Sequence, residues 1–122
     1  MIPTNIRELI AQNKAQTSKL YNGEKKEVDI KLQNINKWDF SSLDLKGIYF
    51  YNCIITESIF RKCNLEDCKF IECTLVNNNF SRANMNNVEF IRCKIEYNDF
   101  RNTNGTFKTA LSYVENNYKG LK

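Results

Sequence analysis

The residues with chemistry to offer are five cysteines; the sequence has no histidine at all. Three of them, Cys63, Cys68 and Cys73, stand five residues apart in the stretch CNLEDCKFIEC. Thiols can ligate a metal, pair as disulfides, act as nucleophiles or simply pack. Tetrahedral zinc sites gather cysteines at short spacing with side chains that converge on one point. A disulfide set needs an oxidising compartment, and an odd count leaves a thiol over. Buried free cysteine behaves as a small hydrophobe. Without histidine, the commonest general base and the commonest zinc ligand are both missing. No glycine-rich phosphate loop, serine-nucleophile motif or isolated acid pair is present either. The expectation is therefore a non-enzyme with no cofactor and no metal.

The cysteines must be placed by the elements around them, and these follow a step of five. From Phe40 the series runs Phe40, Leu45, Phe50, Ile55, Phe60, Leu65, Phe70, Leu75, Phe80, Met85, Phe90, Ile95, Phe100, all large and apolar. Neither a helix, with period 3.6, nor a half-buried strand, with period 2, gives that spacing; a fixed step marks a repeat architecture. Two residues earlier in each unit stands a small or moderately apolar residue: Leu43, Ile48, Cys53, Ser58, Cys63, Cys68, Cys73, Asn78, Ala83, Val88, Cys93, Asn98. All five cysteines occupy this second inward position. Their spacing belongs to the repeat, which favours packing over metal binding, disulfides or redox chemistry.

Cys63-Asn64-Leu65-Glu66-Asp67 and Ala83-Asn84-Met85-Asn86-Asn87 closely resemble the unit of the pentapeptide-repeat family. The resemblance covers about residues 38 to 102 and extends weakly back through Val28-Asp29-Ile30 and Gln33-Asn34-Ile35. It implies an all-β solenoid, a right-handed quadrilateral β-helix of about three to four coils, in which four pentapeptides make one square coil. Residues 20 apart then stack. Phenylalanine columns occupy two opposite walls and aliphatic columns the two between, which fills a narrow core without voids.

Three segments are expected: an N-terminal capping helix and turn over 1–27, the β-helix over 28–104, and a C-terminal helix over 105–122. Solenoids expose open ends that need capping. Asn5 and Glu8 read as a capping box before the apolar residues Ile6, Leu9, Ile10 and Leu20. After Gly105, Phe107, Ala110, Leu111, Val114 and Tyr118 recur at helical spacing. In gyrase-protecting members of the family a C-terminal helical element joins two solenoids, so the resemblance raises a homodimer through this helix beside plain capping. The N-terminus lacks the continuous apolar core of a secretory signal, and no run of 18 apolar residues occurs. A cytoplasmic protein with no membrane contact is the expectation.

Function is expected on the outside of the coils. Of the net charge of +4, residues 39–102 contribute −1, with 8 basic and 9 acidic side chains, and the flanks the rest. A near-neutral surface suits duplex mimicry poorly, although the resemblance makes protection of DNA gyrase against quinolones an alternative. Arg61, Lys62, Arg82 and Arg101 form a basic wall that could hold phosphates or an acidic protein. It lacks the aromatic platforms of single-strand binders, which makes nucleic-acid binding the weaker alternative. Tyr49, Tyr51, Ile71 and Ile91, extended by Ile54 and Val76, form an outward apolar ladder of the kind that marks interfaces. The leading expectation is a small bacterial binding module, an inhibitor or immunity-type protein that neutralises a toxin or enzyme through this ladder.

Overall fold

The computed structural model describes Glu8 and residues 29–117, and these form a parallel β-solenoid of about four turns. One wall is the sheet β1 (Asp29–Lys31), β3 (Tyr49–Tyr51), β5 (Lys69–Ile71), β7 (Glu89–Ile91). The next is the sheet β2 (Asn34–Asn36), β4 (Ile54–Thr56), β6 (Thr74–Val76), β8 (Lys94–Glu96), β9 (Tyr113–Glu115). From β1 to β6 each strand pairs with the residues 20 positions on, as Phe50 with Phe70 and Ile55 with Leu75. Bridges through Asp39, Ile59, Asn79 and Asp99, and through Asp44, Asn64, Asn84 and Asn104, make the other two walls.

The step of five has a direct physical cause. In each regular unit the central side chain points inward and is buried, from Ile30 and Ile35 through Phe100. Two residues later the backbone takes positive φ, between 50° and 63° for the non-glycine residues of these corners. Left-handed conformation costs a non-glycine residue on the order of 1–2 kcal/mol. It is held here by bonds to the next coil, such as Ser42 N–H to the Arg61 carbonyl at 3.0 Å and Lys62 N–H to the Ser81 carbonyl at 3.1 Å. On the Phe60 and Leu65 walls the corner is also a closed turn, Cys63 N–H donating to the Phe60 carbonyl at 3.1 Å and Cys68 N–H to the Leu65 carbonyl at 3.0 Å.

The phenylalanine columns are as expected. Ring centroids lie 4.2 Å apart for Phe40 and Phe60, 4.7 Å for Phe60 and Phe80, and 4.7 Å for Phe50 and Phe70. The two columns meet edge to face, with Phe70 and Phe80 at 6.5 Å and 89°. Offset stacking along a column and edge contact across it are the two favourable aromatic arrangements.

The expected C-terminal helix is replaced by solenoid. Lys108 bridges Glu89, and β9 pairs with β8 in a register of 19, Ile95 against Val114. The unit between Thr103 and Phe107 is one residue short. Beyond it the repeat resumes, with Phe107, Ser112 and Asn117 turned inward in steps of five. Apolar residues that fit a helical spacing therefore divide between the two faces: Phe107 and Val114 pack on the core, and Leu111 is exposed. Gly105 marks the tight crossing, at φ +82°, where a Cβ would lie 2.5 Å from Asn86 Cα. A homodimer through a C-terminal helix loses its element over 105–117. The N-terminal capping helix falls outside the described residues, apart from Glu8.

Candidate interaction surface

The cysteines are internal. Each donates its thiol to the carbonyl of a central residue one coil back: Cys63 to Phe40 at 2.6 Å, Cys68 to Leu45 at 2.9 Å, Cys73 to Phe50 at 3.3 Å, Cys93 to Phe70 at 3.0 Å. Asn78 and Asn98 do the same for Ile55 and Leu75, both at 2.9 Å, and Ser112 for Phe90 at 3.1 Å. Thiol, amide and hydroxyl are thus structurally equivalent here, because a small side chain at this position satisfies an inward carbonyl. All five thiols are free and buried. Desolvation pushes Cys63 and Cys68 up to about 12, far from the low values of reactive thiolates. Among the described residues no group of acids and cysteines converges as a metal site.

Outside, register arranges the side chains of the first sheet in columns. Before the buried centre stand Asp29, Tyr49, Lys69, Glu89 and Lys108. After it stand Lys31, Tyr51, Ile71, Ile91 and Ala110, and at the following corner Leu32, Asn52, Glu72, Arg92 and Leu111. Tyr51, Ile71 and Ile91 are half-buried neighbours in one column. Tyr49 lies beside them, its ring 6.4 Å from that of Tyr51, with Lys69 Nζ 5.2 Å from its centroid. Lys31 Nζ lies 5.6 Å from the Tyr51 centroid. The ladder expected from sequence is therefore continuous over three coils. Ile54 and Val76 do not extend it as one strip, for they stand in different columns of the second sheet, on either side of its buried centre.

The basic residues are less uniform. Arg101 chelates Asp99 through Nε and Nη2, at 3.0 and 2.8 Å, and this guanidinium holds the Asp99 carboxyl below the usual range. Arg61 lies on the same wall, just after its buried centre Phe60, and Lys62 and Arg82 hold the positive-φ corner that follows.

Sequence reasoning missed Leu32 and Leu111, exposed at 78% and 79%, and Tyr97 at 51%. All three hold the positive-φ corner. The signal was available: any large apolar residue two places after a centre must project from a corner.

A family model described as a pentapeptide repeat region matches residues 43–110. Among solved structures, QnrB1, a plasmid-mediated fluoroquinolone resistance protein, is similar with a TM-score of 0.60 and 22% identity, over 73% of this chain and 47% of that one. The chain thus spans about half the length of QnrB1. A pentapeptide repeat protein, Rfr23, from the cyanobacterium Cyanothece 51142 is similar with a TM-score of 0.30 and 16% identity, over 78% of this chain and 70% of that one. No curated protein matches.

Proposed function

Because the chain belongs to the pentapeptide-repeat family, we propose that it is a non-catalytic protein-binding module acting in the cytoplasm. The observation that supports this most is the column Tyr51, Ile71, Ile91 with Tyr49 beside it, an apolar strip on a wall whose backbone is fixed by coil-to-coil bonds. Contiguous exposed apolar surface marks interaction sites. A stiff wall loses little conformational entropy when it is covered, and tyrosines are frequent anchors. The partner class we infer is a toxin or enzyme, held and neutralised by direct binding in the manner of an inhibitor or immunity protein.

Growth rescue tests this reading. Where a neighbouring gene encodes a toxin domain, co-expression with it should restore growth, and the double substitution Ile71→Glu, Ile91→Glu should abolish rescue without lowering the melting temperature. Rescue that survives the double substitution removes the ladder and moves the search to Arg61, Lys62, Arg82 and Arg101. No rescue at all removes the immunity reading.

The fold likeness to a fluoroquinolone resistance protein motivates a second reading, topoisomerase protection. Supercoiling by gyrase, with and without a quinolone, decides it: protection at stoichiometric chain supports it, and unchanged inhibition removes it. The column Asp44, Asn64, Asn84, Asn104 is mostly neutral, with Asn64 donating its amide to the Asp44 carboxylate and Asn84 donating to Asn64, both at 3.2 Å, which weighs against imitation of a polyanion.

A further inference from the structure

We infer that the first-sheet wall is complementary to itself and joins two copies of this chain face to face, about a twofold axis lying along β5. The inference rests on the protein-binding reading of this wall and adds a second occupant, another copy of this chain, which takes the face when the toxin or enzyme is absent. The wall has five levels, β1, β3, β5, β7 and the Lys108 bridge. A twofold along the central strand keeps each column facing itself and reverses the order of levels, so level one meets level five. An isologous contact requires such a surface to match its own reversal.

Each of the three columns does so, except at the rim of the apolar one, where Lys31 falls opposite Ala110. In the apolar column Ile71 meets Ile71 of the other copy, and Tyr51 meets Ile91. In the leading column Asp29 meets Lys108 and Tyr49 meets Glu89, placing a carboxylate opposite an ammonium and another opposite a phenol. At the corner Leu32 meets Leu111, bringing together the two most exposed apolar side chains among the described residues. Like charges meet only at the centre, Lys69 on Lys69 and Glu72 on Glu72. There the neighbouring levels offset them: Lys69 stands between Glu89 of its own chain and Glu89 of the other. Glu72 stands likewise between two copies of Arg92, one of which it already contacts at 3.9 Å. Alternating charge of this kind fixes register and rejects other arrangements. The twofold parallel to the solenoid axis would instead set Lys69 on Ile71 and Glu89 on Ile91, burying charge on apolar surface.

One wall at about 4.8 Å per level offers less than the roughly 800 Å² per partner of a stable complex. The dimer is therefore reversible, with dissociation between micromolar and millimolar chain. Sedimentation equilibrium of the full chain should show twice the monomer mass at the upper end of that range. Ile71→Glu, which sets two carboxylates on the axis, should return it to monomer with an unchanged melt. Should Ile71→Glu not fold, Lys69→Glu gives the same reading: it should weaken pairing roughly tenfold or more, and Lys69→Glu with Glu89→Lys should restore it. Ile71→Cys should cross-link to itself through a short thiol linker, the native thiols being buried.

A wild type that stays monomeric at millimolar chain overturns the proposal, as does a dimer insensitive to Ile71→Glu or Lys69→Glu, or one without the Ile71→Cys cross-link. Growth rescue and gyrase protection are measured separately, so self-pairing can fail while protein binding stands.

Discussion

A single position in the five-residue unit explains both the cysteines and the asparagines. Where an inward carbonyl must be met, Cys63 does it with a thiol and Asn78 with an amide. Burial holds the Cys63 and Cys68 thiols protonated, and this gives stability a pH dependence. Cys63 and Cys68 lie near 12 in the folded chain against an ordinary 9.0. Between those values the unfolded chain binds fewer protons than the folded one, so stability is complete below about pH 9 and falls as pH rises towards 12. Denaturant melts at pH 7 and pH 10.5 should show this loss, and Cys63→Ala should reduce the difference between them. An unchanged difference would mean that Cys63 is not held protonated. The central residues carry more energy. Phe70 is fully buried between Phe50 and Phe90, at 4.7 and 5.0 Å. Phe70→Ala should cost on the order of 3–5 kcal/mol through lost burial and a cavity that bonded coils cannot close. A loss under about 1 kcal/mol would show that the column is not the core of the solenoid.

The elements were legible wherever the period stayed intact. Phe40 to Phe100 in steps of five declared every buried centre, because only an inward side chain on each wall has to be large and apolar. At Gly105 the reading failed for a physical reason. One missing residue shifts the register to 19, and the apolar residues that follow then match a helical spacing by coincidence. Five-step reading restarted at Phe107 would have found Ser112 and Asn117. The ladder was legible for the same reason as the core, since position in the unit fixes outward direction. What sequence could not supply was which outward residues join across a corner, and so Ile54 and Val76 were read as extending the ladder onto the next wall, although they stand there in different columns on either side of its buried centre. Gly105→Ala tests the short unit: positive φ and the 2.5 Å approach to Asn86 should together destabilise the last coil by more than about 1 kcal/mol. Hydrogen exchange at β9 should accelerate more than at β5. Equal protection would show that Gly105 does not hold this coil.

For the whole molecule, the alternation of walls restricts how the chain can change length. Phenylalanine stacks on phenylalanine every 20 residues, and strand walls adjoin turn walls in fixed order. Five added residues would turn everything downstream by a quarter revolution and lay Phe70 against an aliphatic column. Ten would match aromatic to aromatic but set a strand over a closed turn. Duplicating residues 53–72 should therefore yield a folded chain with a melting temperature at or above the original, whereas an extra Cys63–Asp67 unit should lower it; the reverse order would show that the walls are interchangeable. The solenoid is in this sense quantised in length, and the quantum sets a parity. Five levels put a side chain on the axis of β5; a sixth would move that axis into the gap between coils, leaving no residue to face its own copy.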